Sequence, residues 1–147
     1  PDTDDDIDEE FMPCPTQLLK YLQEKYPNAI VVEFEAEYDD NTMLYELSIV
    51  TKIGSLKVEK ELVFDSDYTF LYAKIEIEDE ILAKLIKKFY TPELIAQLKE
   101  ITGENDPEEW DIEIIENVNG LYSIYVEDKN DKMVEFTKNL NPNDFIK

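Results

Sequence analysis

The chain has 147 residues, of which 43% are hydrophobic and 12% aromatic, enough for one ordinary domain or two small fused units. Its 36 carboxylates face 14 basic residues, all lysine, for a formal net charge of −22. That balance excludes a nucleic-acid or bare anionic-membrane partner, since phosphate contacts need clustered Lys or Arg. The absence of histidine removes the commonest acid–base catalyst and transition-metal ligand.

The run from Pro1 to Glu10 carries seven carboxylates and one apolar residue, Ile7. Such a run repels itself, and residues 1–12 are read as a disordered acidic tether. Asp2, Asp4 and Asp6 imitate the start of an EF-hand loop, but Pro13 stands where the closing Glu belongs and no Gly is present. The lone cysteine, Cys14, lies between two prolines and is read as a small, half-buried residue at a helix entrance.

Leu18, Leu19, Leu22 and Tyr26 form a helical stripe that Pro27 stops. Val32, Phe34, Ala36 and Tyr38 then alternate with Glu33, Glu35 and Glu37, the pattern of a half-buried antiparallel strand. The three glutamates are read as its solvated outer face rather than as a metal-binding comb. Further strands are expected over 43–52, over 56–64 with Leu56, Val58, Leu62 and Phe64 inward, and over 68–77 with Thr69, Leu71, Ala73, Ile75 and Ile77 inward. Turns fall at Asp39–Thr42, Gly54-Ser55 and Asp65–Asp67.

The pattern then restarts. Ile81, Leu82, Leu85, Ile86 and Phe89 form one helical stripe; Leu94, Ile95, Leu98 and Ile101 form a second, with Thr91-Pro92 opening it and Gly103 closing it. Strands follow around Ile112, around Ile124 and around Val134, separated by turns at Asn119-Gly120 and Asp128–Asp131. The tail from Asn141 is read as a final edge. The expected organisation is a tether (1–12), a first helix-plus-meander unit (13–78) and a second unit with a helix pair and a sheet (79–147). "MLYEL" (Met43–Leu47) and "GLYSI" (Gly120–Ile124) stand at matching places in the two. The fold class is α+β, with helices packed on one face of antiparallel sheets.

The segment from Met12 to Tyr38, with its Glu24-Lys25-Tyr26-Pro27-Asn28-Ala29 motif, followed by Tyr45-Glu46-Leu47 and Phe64-Asp65-Ser66-Asp67, resembles the PepSY-like, or β-lactamase-inhibitor-like, family. The match covers about residues 12–77 and lacks the Gly usual after the last motif. The resemblance implies exported periplasmic or cell-surface proteins, often lipoproteins with an acidic linker after a lipidated cysteine. It also implies two helix-plus-sheet repeats as in β-lactamase inhibitor protein, and no catalytic residues.

Ser66 and Ser123 have no histidine to activate them, and the chain has no phosphate-binding loop or dinucleotide fingerprint. No enzyme activity, cofactor or metal is therefore expected. The chemistry-bearing feature is aromatic. If Leu71, Ala73 and Ile75 face the helices, then Tyr68, Phe70 and Tyr72 face away, joined by Leu44, Val63, Ile115, Tyr125 and Met133. Such a face either binds a partner or packs on the other unit, the N-terminal segment or a second copy. The candidate binding residues are Tyr68, Phe70, Tyr72, Tyr125 and Met133. The expected partner is a protein, with inhibition or regulation of a basic secreted hydrolase as the alternative.

Overall fold

The computed structural model describes residues 14–146. The acidic run, the proposed tether and the EF-hand-like aspartates lie outside the described residues. Helix α1 (Thr16–Lys25) is followed by strands β1 (Ile30–Asp39), β2 (Thr42–Ile53), β3 (Leu56–Phe64) and β4 (Phe70–Glu76). Helices α2 (Asp79–Phe89) and α3 (Pro92–Thr102) and a 3-10 turn at Pro107–Glu109 come next. Strands β5 (Ile112–Glu116), β6 (Tyr122–Glu127) and β7 (Met133–Leu140) and a short helix α4 (Pro142–Phe145) complete the chain. All seven strands form one antiparallel sheet in the order β1-β2-β3-β4-β5-β6-β7. The fold is α+β, as the sequence implies.

Element boundaries follow local chemistry. Two left-handed residues, Asp40 and Asn41, turn β1 into β2. Thr91 Oγ1 accepts the Leu94 N–H at 3.3 Å to cap α3, Pro92 fills its first turn, and Gly103 closes it at φ 73°. The Asp65 and Asp128 carboxylates each accept two backbone N–H bonds, from residues 67 and 69 and from residues 130 and 132, which closes the β3–β4 and β6–β7 turns. The tail departs from expectation. Asn141 Oδ1 accepts the Asn143 N–H, Pro142 supplies the first helical residue, and a turn of helix forms where an edge strand was expected.

Helices α2 and α3 begin where the pattern restarts, but the sheet runs on across that point. Ala73, Lys74 and Ile75 of β4 stand opposite Glu116, Ile115 and Ile114 of β5. The buried face carries Leu47, Ile49, Leu62, Phe64, Ala73, Ile75, Ile114, Tyr122, Ile124 and Val126. Aromatic contacts tie helical segments to strands: Tyr21 of α1 lies edge-on to Phe64 at 5.2 Å and stacks on Phe70 at 6.0 Å, and Tyr90 after α2 lies edge-on to Phe136 at 5.3 Å.

Two charges stand on this apolar face. Lys60 and Glu116 pair at 2.6 Å with side chains 7% and 13% exposed. Lys60 is opposite Ile75 and Glu116 is opposite Ala73, so the pair reaches across β4. The Tyr26 hydroxyl donates to the second Glu116 oxygen at 3.1 Å and accepts from Lys60 at 3.4 Å, and the ammonium sits 4.8 Å from the Tyr26 ring centre. Burial, then the Glu116 charge, pushes the Tyr26 and Tyr122 hydroxyls far above their ordinary value, which keeps both neutral.

One expectation is overturned by a bulge. Phe64 pairs with Phe70 while Val63 pairs with Tyr72, so Leu71 is the extra residue and parity reverses at that point. Phe70 therefore turns to Phe64 and Tyr21, and Leu71 is 37% exposed. Tyr68, at φ 63° in the turn, folds back onto Tyr45 with ring centres 5.0 Å apart. Tyr68 and Phe70 belong with the core and not on the outer face.

Two stability predictions follow from this packing. Phe70→Ala should destabilise the protein by ~3 kcal/mol in urea titration, whereas Leu71→Ala should change it by less than ~1 kcal/mol. Glu116→Gln, which leaves the Lys60 ammonium buried without its anion, should cost ~3–5 kcal/mol; the double change Lys60→Met with Glu116→Leu should recover most of that loss.

Candidate functional site

The opposite face of the sheet presents a different set of side chains. Glu46, Val63 and Tyr72 stand in one cross-strand row, Glu61, Lys74, Ile115 and Ser123 in the next, and Glu113 and Tyr125 in a third. Val63 and Ser123 are buried in that face, and Asn117 Nδ2 donates to Ser123 Oγ at 3.0 Å. Tyr72, Ile115, Tyr125 and Met133 enclose a shallow hollow of about 410 Å³, with Lys74 and Glu113 at its margin. Met133 is 41% exposed. The structure thus brings three of the five expected residues together, Tyr72, Tyr125 and Met133, and sends Tyr68 and Phe70 to the core side.

A second hollow of about 570 Å³ shares Lys74, Glu113 and Met133 with the first. Glu76, Asp79, Asp111 and Glu127 line it. The sequence reading missed this acidic neighbour. Its signal was available: 74, 76, 113 and 127 have the outward parity of Tyr72 and Tyr125. Asp79 and Asp111 sit at element ends, where strand parity says nothing.

The crowding of carboxylates has a chemical consequence. Hydrogen bonding with Asp111 and Asp131, followed by burial and their charges, raises the Glu127 carboxyl above its ordinary range. Hydrogen bonding with Glu33 does the same to Glu35 on the exposed edge strand. Glu46 is pushed up to about 7, first by burial, then by hydrogen bonding with Glu37 and the charges of Glu61, Glu37 and Glu35. Glu46 on this face therefore titrates near neutrality. Carboxylates do not gather into a metal centre: among the described residues no group of three or more His, Cys, Asp or Glu side chains is placed to hold an ion.

The Cys14 thiol is half-buried, and burial raises its pKa, which makes it a poorer nucleophile. No helix among the described residues is long and apolar enough to cross a membrane. No family model, curated protein or solved structure matches the chain.

The Glu46 shift has a definite sign. Its folded-state pKa lies above the ordinary value of 4.5, so the folded form holds more protons than the unfolded one between about 4.5 and 7. The contribution to stability is present below that window and is lost as the pH rises through it. Glu46→Gln should raise the melting temperature at pH 8 and leave it nearly unchanged at pH 5; an equal rise at both would trace the effect to packing.

Proposed function

We propose that the chain is a non-enzymatic protein-binding module in which the helices cover one face of the sheet and the opposite face is the contact surface. The observation that carries this reading is a pair of hollows that share Lys74, Glu113 and Met133: Tyr72, Ile115 and Tyr125 make the first largely apolar, and Glu76, Asp79, Asp111 and Glu127 bring carboxylates to the second. Aromatic and methionine side chains are the usual anchors of interfaces, and an apolar centre with a charged rim is their usual anatomy. The acidic margin and the net charge of −22 favour a partner that offers an apolar knob ringed by Lys or Arg.

The family resemblance at Glu24–Ala29 supports an exported setting, periplasmic or at the cell surface, with an anchor upstream of the chain. In that setting the same surface suits an inhibitor of a basic secreted hydrolase. Stoichiometric loss of the partner's activity on binding distinguishes inhibition from plain capture.

The test is a paired substitution on the outer face. Tyr72→Ala with Met133→Ala should weaken binding to a basic protein recovered from a periplasmic or outer-membrane extract by ~2 kcal/mol or more, about thirtyfold. The melting temperature should stay within a few degrees. Affinity should also fall as the pH drops from 7.5 to 5.5, because Glu46 regains its proton. Binding that survives the double substitution sinks the assignment of this face.

A further inference from the structure

One hollow of the described surface is lined by lysines. Strand β1 begins at Ile30, opposite Val50, while β2 and β3 continue past it to the turn at Gly54. Thr51, Lys52 and Ile53 are thus paired with β3 but have no strand on their other edge among the described residues. Beside this free edge lies a hollow of about 840 Å³, lined by Lys25, Tyr26, Pro27, Asn28, Ile30, Val50, Thr51, Lys52 and Lys57.

Three lysines line it, and no carboxylate among the described residues does. Lys52 and Lys57 stand directly opposite each other, a like-charge pairing that disfavours the hairpin unless an anion lies between them. Lys25 also complements the dipole at the end of α1, so it has a structural use; among the described residues Lys52 and Lys57 have no ion-pair partner. The acidic surface resumes at Glu59, opposite Val50. The apolar part of the lining is just as open: Ile30 is 66% exposed, and Val31 and Val32 beside it are exposed as well.

We infer that this hollow is a second interaction site, which receives an extended acidic peptide segment of another protein. The segment's backbone adds to the free edge at Thr51–Ile53, as in strand addition to a sheet edge. Carboxylates on one side of the segment meet Lys52 and Lys57, Lys25 lines the same hollow, and the alternate apolar side chains fall on the side of Thr51 and Ile53. At physiological salt, charges beyond about 8 Å are largely screened, so these three ammonium groups prevail locally over the net charge of the whole chain.

The test uses a fluorescein-labelled octapeptide of alternating Val and Glu at 0.15 M salt. Saturable binding is expected, weakened about tenfold in a Lys52→Gln, Lys57→Gln variant whose melting curve is unchanged. The outer-face variant Tyr72→Ala, Met133→Ala should bind this peptide as the wild type does, which separates the two sites. Equal affinity in the lysine variant, or no saturable binding, overturns the inference. The chain's own seven-carboxylate run and a second copy are the rival occupants. Tighter peptide binding after deletion of residues 1–10 would give the hollow to the first. A dimer that the peptide dissociates in sedimentation would give it to the second.

Discussion

The pairing of Lys60 with Glu116 is the constraint around which the two halves of this sheet are organised. The partners are 56 residues apart and sit on strands that do not touch, separated by β4. Their side chains can meet only if β4 presents something small between them, and the fully buried Ala73 does. Burial makes each charge costly by itself, so every displacement that opens the 2.6 Å contact is opposed more strongly than a surface pair would oppose it. Tyr26 extends the constraint to the segment after α1, through its hydroxyl and the face of its ring. One ion pair thereby ties the first helix, β3 and β5 into a single register. Its net contribution to strength is small, since an apolar pair of similar volume would serve stability as well.

Packing around this centre is aromatic on both sides. Tyr21, Phe64 and Phe70 form one cluster in the first half, and Phe89, Tyr90 and Phe136 form another in the second. Rings set edge-to-face or offset bring geometric preference as well as buried area, which suits a chain whose other face must remain charged. With 36 carboxylates and 14 lysines, neutralisation by pairing is arithmetically impossible. The surplus is accommodated by spreading carboxylates over the outer face and edges, and burial and crowding raise the pKa of Glu46, Glu35 and Glu127. The surface is therefore not uniform. It offers an apolar hollow beside an acidic one, and at the far end of β2 a lysine-lined hollow of opposite sign.

Strand alternation and helical stripes in the sequence alone determine the elements, because burying one side of a strand or helix imposes a period of two or 3.6 whatever lies beyond it. Proline, glycine and the cap residues set most ends, as at Thr91-Pro92 and Gly103, since those effects act within a few residues. The same parity identifies Tyr72, Tyr125 and Met133 as outward. Lys60, between Val58 and Leu62, and Glu116, after Ile114, share the inward parity, but a charge inside is permitted only by a partner, and that partner is remote in sequence.

What the tertiary structure alone decided are the matters that depend on neighbouring strands. The bulge at Leu71 exists because β3 and β4 must hold Val63 against Tyr72 and Phe64 against Phe70 at once, and this turned Phe70 and Tyr68 to the core. The joining of β4 to β5 into one seven-stranded sheet needed the pairing of residues about forty positions apart, which no local pattern encodes. Both hollows next to Met133, and the free edge beyond Ile30, arise from where strands of unequal length end beside one another. Periodicity states which way a side chain points along its own strand; only the assembled register states what it points at.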